Sequence, residues 1–472
     1  MATSPFHVAI VGGGITGLAL AISLHRRGVS FTIYEQAAAF GEIGAGVGMH
    51  ANAVRAMKIC DAGLLAGFER VATRNAWASK ADVWFDVLDG TAAEPASEPE
   101  KLAPLFTLIG HEDGHAACHR ARFLEEMVPL LPAGSAQFGK RLLSVDGDGT
   151  EVDGDGPLTL VFEDGTTAQA DAVLGCDGIK SRTRAVLVAA HGKDNGKSND
   201  DRAAIDEAKP TYSHKFVYRG LIPMADAVAV LGEERSANAM LWMGPDRHAL
   251  TFPVNHGQTL NLVAFVTTPA PWPSHDAQQL VLPATRDDAL RDFAGFGPNV
   301  LGLLGKAAPQ MDRWGLFDLA EHPLPQFYRG RVCLVGDAAH ASTPHHGAGA
   351  GMCIEDVAVL AELMGAVKST GELPAAFAAF DASRRGRDQW LVASSRRAAD
   401  LYEWRARGRD FEAIADEVRA RQAFIWDIDL DEAMAKAKED LARRLALGMP
   451  AAAAPDTSVP FPPDIDFHLR QE

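Results

Sequence analysis

The N-terminal segment alternates short apolar runs with an amphipathic stretch. Residues Phe6–Val11 form an apolar run with the length of a strand buried on both faces. A glycine-rich turn follows at Gly12–Gly17, and Leu18–Leu24 then places apolar residues at helical spacing. Ser30–Tyr34 is a second run rich in β-forming residues. The pattern predicts a strand, a helix and a second strand in a βαβ unit.

Later segments have patterns of their own. Asn238–Thr267 alternates apolar and polar positions around glycine-containing turns, which is typical of an antiparallel meander. Ala375–Leu401 and Asp410–Leu447 space apolar residues three and four apart, which predicts helices. Ala189–Lys209 is polar without apolar periodicity and is predicted to be a loop inserted between domains. The Ala- and Pro-rich Gly448–Asp466 is predicted to be an extended tail.

Composition narrows the class of protein. The chain has 472 residues, of which 47% are hydrophobic and 23% charged, as in soluble globular proteins. Its net charge of −17 disfavours nucleic acid and anionic membrane surfaces as partners. The longest uncharged apolar stretch, Val8–Leu24, is shorter than the roughly 20 residues of a membrane helix. The five cysteines are widely spaced and form no Cys-x-x-Cys, so we expect a reducing, cytoplasmic location.

The first candidate for chemistry is the sequence Gly12-x-Gly14-x-x-Gly17. Glycines at this spacing allow a tight turn from strand to helix, and they bring backbone N–H groups close to a pyrophosphate. Glu35 ends the second predicted strand, where a carboxylate can accept hydrogen bonds from the ribose hydroxyls of an adenosine. The motif predicts a dinucleotide site without distinguishing NAD from FAD.

Two further motifs make that distinction. Gly175–Arg184 follows a short apolar run and contains an Asp-Gly pair. Arg331–His340 contains Gly-Asp and leads into the glycine-rich Gly347–Gly351. Together with the first motif, in this order, these segments resemble the single-component FAD-dependent aromatic hydroxylases, a group of flavoprotein monooxygenases. The resemblance covers most of residues 6–400.

Within this family the chain is most similar to salicylate hydroxylases. Fungal enzymes that dearomatise phenols are also similar, although Phe252 and His115 stand where some of them have a tyrosine. The stretches that resemble salicylate hydroxylases are Glu42–Val47, Phe216–Leu221, His248–Val254 and Gly336–Asp356. Those that resemble the fungal enzymes are Tyr212–Leu221 and Trp272–Arg286.

The resemblance implies an α/β fold with a discontinuous Rossmann-like FAD-binding domain, an inserted antiparallel β-sheet domain for the substrate, and C-terminal helices. The expected limits are 1–78, 105–188 and 326–372 for the FAD-binding parts, 210–325 for the substrate domain, 373–447 for the helices and 448–472 for the tail.

The resemblance also implies which residues contact the cofactor. Asp337 matches the aspartate that binds the ribityl chain of FAD, and Asp177 and Arg184 match a motif associated with FAD and the nicotinamide donor. Seen alone, Asp177 has an ordinary tight turn as its alternative and Asp337 a helix cap. The expected FAD contacts are Gly12, Gly14, Gly17, Glu35, Arg120, Asp177, Asp337, Gly349 and Ala350.

Candidates for substrate binding and catalysis lie between and within these motifs. Arg219 suits a substrate carboxylate, because its planar guanidinium can pair with both oxygens; a salt bridge is the alternative. His248, His345 and His346 are candidates to take or hold a phenol proton, with structural histidines as the alternative. Alternation would place His248 and Phe252 on one face of a strand. The expected substrate contacts are Arg219, His248, Phe252 and Pro344, and the expected catalytic residues are Arg219, His248, His345 and His346.

The implied reaction uses NADH or NADPH and O₂. In this family reduced FAD forms a C4a-hydroperoxide that hydroxylates an electron-rich ring, and a carboxylate on the attacked carbon leaves as CO₂. Salicylate converted to catechol is the expected reaction of a monomer or homodimer. Alternatives are another hydroxybenzoate, dearomatising hydroxylation of a phenolic polyketide, and a non-enzymatic carrier with an FAD-type fold.

One match to a metal motif is not expected to bind metal. His111–His115 satisfies His-Glu-x-x-His, which holds zinc when it lies on a helix. Gly110 and Gly114 each disfavour a helix by about 1 kcal/mol relative to alanine. No metal is therefore predicted.

Overall fold

The computed structural model describes residues 5–41, 46–93, 103–111, 116–146, 156–194, 208–274 and 279–448. These ranges contain both strands and α-helices. The strands are β1 His7–Val11, β2 Ser30–Glu35, β3 Gly46–Met49, β4 Val83–Asp89, β5 Phe106–Ile109, β6 Ala116–His119, β7 Ala136–Phe138, β8 Leu142–Asp146, β9 Leu158–Phe162, β10 Thr167–Ala170, β11 Ala172–Gly175, β12 Thr211–Pro223, β13 Met240–Gly244, β14 Arg247–Val254, β15 Thr259–Thr267, β16 Val281–Thr285, β17 Gln310–Asp318, β18 Tyr328–Arg329 and β19 Val332–Leu334. The α-helices are α1 Ile15–Arg26, α2 Ala51–Cys60, α3 Ala62–Val71, α4 Arg120–Met127, α5 Arg182–Asp194, α6 Met224–Leu231, α7 Glu233–Ser236, α8 Arg286–Asp292, α9 Pro298–Lys306, α10 Asp337–His340, α11 Gly349–Ala366, α12 Leu373–Tyr402, α13 Phe411–Trp426 and α14 Leu430–Leu447.

A six-stranded sheet combines strands from distant parts of the chain, in the order β18-β19-β11-β1-β2-β7. Its pairs are parallel except for β18 with β19. Val8 and Ile10 of β1 pack into the core shared with helices α1 and α11, whereas Ala9 and Val11 pack against β8–β10. The strand is therefore buried on both faces, as predicted. The α/β fold with a discontinuous nucleotide-binding part is confirmed.

An eight-stranded sheet has the order β16-β17-β12-β15-β14-β13-β4-β5. Strands β13, β14 and β15 form the predicted antiparallel meander. The sheet also takes in β4, parallel to β13, and β5, antiparallel to β4. Strand β5 falls within the range 105–188 that the sequence assigned to FAD binding, and it pairs with β4 at the edge of the eight-stranded sheet. Its short apolar run has no signal for its partner strand, which the tertiary structure decides.

Both faces of the eight-stranded sheet are covered. Trp242, Leu262 and Phe293 belong to a core that the sheet shares with helices α6, α8 and α9. On the opposite face, Leu241 packs in a second core with Trp390 of helix α12. The cavity described below lies on this second face, toward the six-stranded sheet.

Two predictions about helices need correction. Helix α5 runs to Asp194, into the predicted loop Ala189–Lys209, because Ala190 is buried against the protein and the polar residues that follow tolerate a helix. The predicted helix Asp410–Leu447 is two helices, since Asp429 caps α14 by accepting a hydrogen bond from the Glu432 N–H. The predicted tail after Gly448 lies outside the described residues.

Two further observations concern membrane and redox chemistry. Across the described ranges, none of the helices is both long enough and apolar enough to cross a membrane. All five cysteines are buried and free of disulfide bonds, and burial raises the pKa of the Cys60 and Cys118 thiols to about 12.

Candidate active site

The glycine-rich loop joins β1 to α1 under tight steric limits. Gly12 has φ of 105°, and a Cβ there would lie 2.4 Å from the Cys176 carbonyl oxygen. A Cβ on Gly17 would lie 2.0 Å from the carbonyl oxygen of Gly12. Gly14 is the N-cap of α1. Only glycine fits at positions 12 and 17, and the loop leaves the helix N-terminus open to an anion such as a pyrophosphate.

Glu35 lies at the end of β2 and holds the glycine loop. Its Oε2 accepts a hydrogen bond of 2.6 Å from the Gly13 N–H, and its Oε1 accepts one of 2.7 Å from the Ala37 N–H. Each carboxylate oxygen retains a second lone pair, which leaves Glu35 able to accept from ribose hydroxyls as well.

Asp177 caps helix α5. It does not line the cavity that is described below. Its Oδ2 accepts hydrogen bonds from the N–H groups of Arg182 and Thr183 at 2.8 and 2.9 Å, and Oδ1 accepts one of 2.5 Å from the Ser181 hydroxyl. These bonds fix the turn that leads into α5, and the contact of Asp177 with FAD stays a prediction.

Arg184 connects this turn to the Gly-Asp motif. The side chain is 1% exposed. Its Nη1 donates to the Ala338 carbonyl at 2.8 Å, its Nε to the Ala208 carbonyl at 2.7 Å, and its Nη2 to the Ile179 carbonyl. Burial lowers the pKa of this guanidinium to about 10. Arg184 therefore positions the backbone around Asp337.

Asp337 begins helix α10 and lines the cavity together with Gly349 and Ala350 at the N-terminus of α11. Gly336 precedes it with φ of 67°, and a Cβ there would lie 2.7 Å from the Thr16 hydroxyl oxygen. A carboxylate acceptor beside a helix N-terminus suits the ribityl hydroxyls and the electron-poor ring of a flavin.

A buried ionic cluster supports this loop. Asp356 accepts a hydrogen bond from the Gly336 N–H at 3.0 Å, contacts the His340 ring at 2.7 Å and accepts from Arg384 at 2.8 Å. Burial alone would lower the pKa of His340, but Asp388 and Asp356 raise it to about 9. Ligand atoms of His340, Asp356 and Asp388 lie within 4.8 Å of one another, and Arg384 pairs with both carboxylates.

The adjoining cavity has a volume of about 310 Å³. One wall consists of apolar side chains of the eight-stranded sheet, including Leu250, Phe252 and Phe265. Arg120, Arg219, Pro344 and His345 also line it. The structure thus brings most of the predicted cofactor and substrate residues to one cavity, with polar groups at a few positions in an apolar surface.

Arg219 reaches the cavity from β12. Its guanidinium carbon lies 4.9 Å from the ring centroid of Trp314, and its buried Nε has no hydrogen-bond partner among the described residues. Burial, reinforced by the charge of Arg120, lowers the pKa of Arg219. A buried cation with free donors is suited to an anionic ligand, and no salt bridge within the described chain takes its place.

Of the three candidate histidines, His345 alone lines the cavity. Its Nδ1 lies 2.9 Å from the Thr343 hydroxyl oxygen, and its buried Nε2 has no partner among the described residues. Burial, with the nearby His248 and Lys215, lowers the pKa of His345 well below its usual value. The neutral ring can therefore accept a hydrogen bond or a proton.

The structure places His248 and His346 behind the cavity wall. His248 was predicted as a substrate contact and both histidines as catalytic residues, and neither lines the cavity. His248 stacks on Phe265 with ring centroids 4.2 Å apart and contacts Glu403 at 3.2 Å. His346 contacts the hydroxyl of Ser394 at 2.9 Å and Gln422 at 3.2 Å. Burial, then the charge of Arg421, lowers the pKa of His346 to about 3. Both rings are enclosed by protein.

Sequence reasoning missed other cavity residues. Tyr402 ends helix α12 and is fully buried, and His50 lies edge-on to Trp84 with ring centroids 5.3 Å apart. His50 follows β3, next to a stretch already similar to salicylate hydroxylases, and that proximity is a usable signal. Tyr402 has none, because its helix pattern is that of an ordinary packed helix. The rejected zinc motif lies outside the described residues except for His111, whose Nε2 is 3.7 Å from Asp427.

These observations define a class of protein. The glycine loop, Glu35, Asp337 and the N-terminus of α11 form a cradle that fits an FAD molecule. A family model described as an FAD binding domain matches residues 6–210 and 305–395 of the chain. The cofactor is therefore FAD, held by a discontinuous domain.

Similar proteins refine the class. A protein of Aspergillus niger named FAD-dependent monooxygenase orf3 is 43% identical over 463 residues, covering 94% of this chain and 99% of that protein. The Sarocladium schorii protein named salicylate hydroxylase asL1 is 39% identical over 459 residues, covering 92% and 91%. A solved salicylate hydroxylase substrate complex has a TM-score of 0.76 and 32% identity, covering 92% of this chain and 98% of that one. The chain belongs to the FAD-dependent monooxygenase family.

Proposed function

We propose that the protein hydroxylates a phenolic aromatic acid, with salicylate converted to catechol and CO₂ as the first candidate. Bound FAD would accept electrons from NADH or NADPH and activate O₂, which is chemistry that the cofactor itself supplies. The residues of the chain bind the ring, orient it and control one proton.

The observation that carries this proposal is the presence of Arg219 and His345 in one cavity. Arg219 would hold the substrate carboxylate with its free donors, at about 1.5–3 kcal/mol for a charged hydrogen bond. Stacking on Trp314 restricts the guanidinium to few conformations, so little freedom is lost on binding. Salicylate presents its carboxylate and hydroxyl on adjacent carbons, which one cation and one neutral base can engage together.

His345 would accept the phenol proton at Nε2. A neutral imidazole can do this, and burial, which lowers the pKa of His345, favours the neutral ring. Removing that proton raises the electron density of the ring at the ortho and para carbons, where hydroxylation occurs. Leu250, Phe252 and Phe265 would cover the ring and exclude water from the reacting carbon.

Product analysis with carboxyl-labelled salicylate tests the proposal. Catechol and one labelled CO₂ per NAD(P)H oxidised would support it. A hydroxylated acid that keeps its label would indicate another hydroxybenzoate hydroxylase. A protein purified without flavin and inactive after FAD is added would favour the carrier alternative.

Arg219→Met supplies the residue-level test. We expect the KM for salicylate to rise roughly 10- to 150-fold, the equivalent of about 1.5–3 kcal/mol, with FAD content unchanged. Arg313→Met is the matched control, because Arg313 also stacks on aromatic rings, those of Phe216 and Trp272, but does not line this cavity. Equal KM values in both variants would remove Arg219 from the substrate site.

Dearomatising hydroxylation of a larger phenol is the second candidate. The apolar lining extends past Arg219 to Trp84, Phe85 and Leu241, which leaves contact surface for an acylated ring. Turnover of an acylated resorcinol, with no turnover of any benzoate, would select this candidate.

A further inference from the structure

A chain of polar side chains leads away from the cavity wall behind His345. The rings of His345 and His248 have centroids 5.4 Å apart. Nδ1 of His248 lies 3.2 Å from Oε1 of Glu403, and Oε2 of Glu403 lies 2.7 Å from Nζ of Lys215. Nζ of Lys215 lies 3.2 Å from Oδ1 of Asp400.

The chain runs from the interior to solvent. The side chains of His248 and Glu403 are fully buried and that of Lys215 is nearly so, whereas the side chain of Asp400 is 41% exposed. Arg405 lies beside this outer end, with its Nε 3.5 Å from Asp400. Strands β12 and β14 and the end of helix α12 thus supply one continuous polar path through an otherwise apolar wall.

Two unsatisfied atoms suggest that the path is more than a structural ion pair. Nε2 of His248 and Nε2 of His345 are both buried without a hydrogen-bond partner among the described residues. Buried polar atoms of this kind are uncommon in folded proteins, and each one requires an explanation. With ring centroids 5.4 Å apart, a water molecule or a rotation of His345 would be needed to join the two atoms.

We propose that His248, Glu403, Lys215 and Asp400 form a relay that carries the phenol proton from His345 to solvent. The proposal rests on the function proposed above, and it gives His248 a role behind the substrate rather than in contact with it.

The protons balance along this path. His345 takes the phenol proton and passes one to Nε2 of His248. That nitrogen is an acceptor, because the ionised Glu403 requires the ring hydrogen to be on Nδ1. The Nδ1 proton then moves to Glu403 and on through Lys215 and Asp400 to water. The substrate loses one proton and solvent gains one. His248 is left with its ring hydrogen on Nε2, and this hydrogen must exchange back to Nδ1 before the next turnover.

Charged groups around Glu403 keep its carboxylate ionised, so that it can accept a proton. Burial alone would raise its pKa, but His248 and Lys215 lower it to about 2, so the carboxylate is ionised in the resting protein. Thr267 donates a third hydrogen bond to it, beside those of His248 and Lys215. On the cavity side, the pKa of His345 is lowered by burial and by the charges of His248, Lys215 and His346. The protonated form of His345 is therefore transient.

The test is the rate at which a bound phenol loses its proton. The FAD-loaded protein is mixed rapidly with 5-nitrosalicylate below the pKa of its phenol, and the phenolate is followed by its absorbance. Glu403→Gln keeps the shape of the side chain, but the amide can donate to Nδ1 of His248 and reverse its tautomer. His248→Gln is the second variant, in case Glu403→Gln fails to fold. Glu362→Gln is the control, because Glu362 is also paired with cations, Arg27 and Lys438, but does not line the cavity.

We expect both relay variants to form phenolate roughly 10²-fold more slowly than the wild type, with the same dissociation constant for 5-nitrosalicylate and a changed solvent isotope effect. The control should match the wild type. Unchanged rates in a relay variant that folds and retains FAD would overturn the relay and leave the proposed function standing. Failure of the wild type to bind or deprotonate the probe would overturn the proposed function and the relay with it.

Discussion

Arg184→Lys is the most informative perturbation of the cofactor site, because Arg184 does not line the cavity and acts through the backbone. Its guanidinium donates to three carbonyl groups at 2.8 Å or less, those of Ile179, Ala208 and Ala338, and to a fourth, that of Asp337, at 3.5 Å. An ammonium group in the same space cannot reach all three, and the loss of two charged hydrogen bonds costs about 1.5–3 kcal/mol each. The free energy of unfolding should therefore fall by roughly 3–6 kcal/mol, a large part of the stability of an ordinary domain.

The backbone that carries Asp337 should also loosen in this variant. If one charged hydrogen bond from Asp337 to FAD is lost, the dissociation constant of FAD rises roughly 10- to 150-fold. Denaturant unfolding of the apoprotein and FAD titration by flavin fluorescence measure the two effects. Arg182→Lys is the control, because Arg182 lies two residues away on the same helix and makes a single side-chain hydrogen bond near the surface, to Leu143. Wild-type stability and FAD affinity in Arg184→Lys would refute the positioning role.

Three further predictions concern the loop, the adenosine end and acid stability. Gly17→Ala should abolish FAD binding, because the added Cβ would collide with the Gly12 carbonyl, whereas Gly41→Ala is the control because its Cβ meets no atom within 4 Å. The flavin absorbance of the purified proteins measures their FAD content. Full FAD content in the Gly17 variant would contradict the steric argument. Glu35→Gln should weaken FAD binding roughly tenfold or more, since one of two backbone N–H groups loses its acceptor; an unchanged dissociation constant in a titration would exclude Glu35. The pKa of His346 is about 3 in the native state, against 6.5 for an ordinary histidine, so the unfolded state binds a proton that the native state excludes, and the free energy of unfolding falls as the pH drops from about 6.5 toward 3. In urea titrations, His346→Gln should lose less free energy of unfolding over that pH range than the wild type. Equal losses in the two proteins would assign the effect to other groups.

Much of the fold was predictable because its signals are local. A change from a short apolar run to helical spacing within a few residues predicts strand β1, the glycine turn and helix α1. The pairing of β5 with β4 was not predicted, because nothing in the sequence of β5 encodes it. Helix α5 extends into the predicted loop Ala189–Lys209 for a related reason, since the burial of Ala190 in the tertiary structure outweighs the polar composition of the residues that follow.

The candidate site also combines features that the sequence predicts with features that depend on the tertiary structure. Alternation correctly placed His248, Leu250 and Phe252 on one face of β14, but His248 pairs in register with Phe265 of the next strand, and the two rings stack. His345 and His346 are neighbours in a single 3₁₀ turn, where successive side chains point about 120° apart, so one lines the cavity and the other faces helix α12. Which of two adjacent histidines meets the ligand depends on the rotation of that turn, which the sequence does not display.

The six-stranded sheet has a consequence for the way the protein is made. Strand β1 pairs with β11, and β11 pairs with β19, so Val8 lies opposite Ala172 and Val173 opposite Val332. The ribosome must therefore release most of the chain before the central strands of this sheet are complete. Such long-range pairing slows folding and leaves apolar strand edges exposed on the nascent chain in the meantime. We expect C-terminal truncations that remove β19 to aggregate rather than fold into a smaller nucleotide-binding unit.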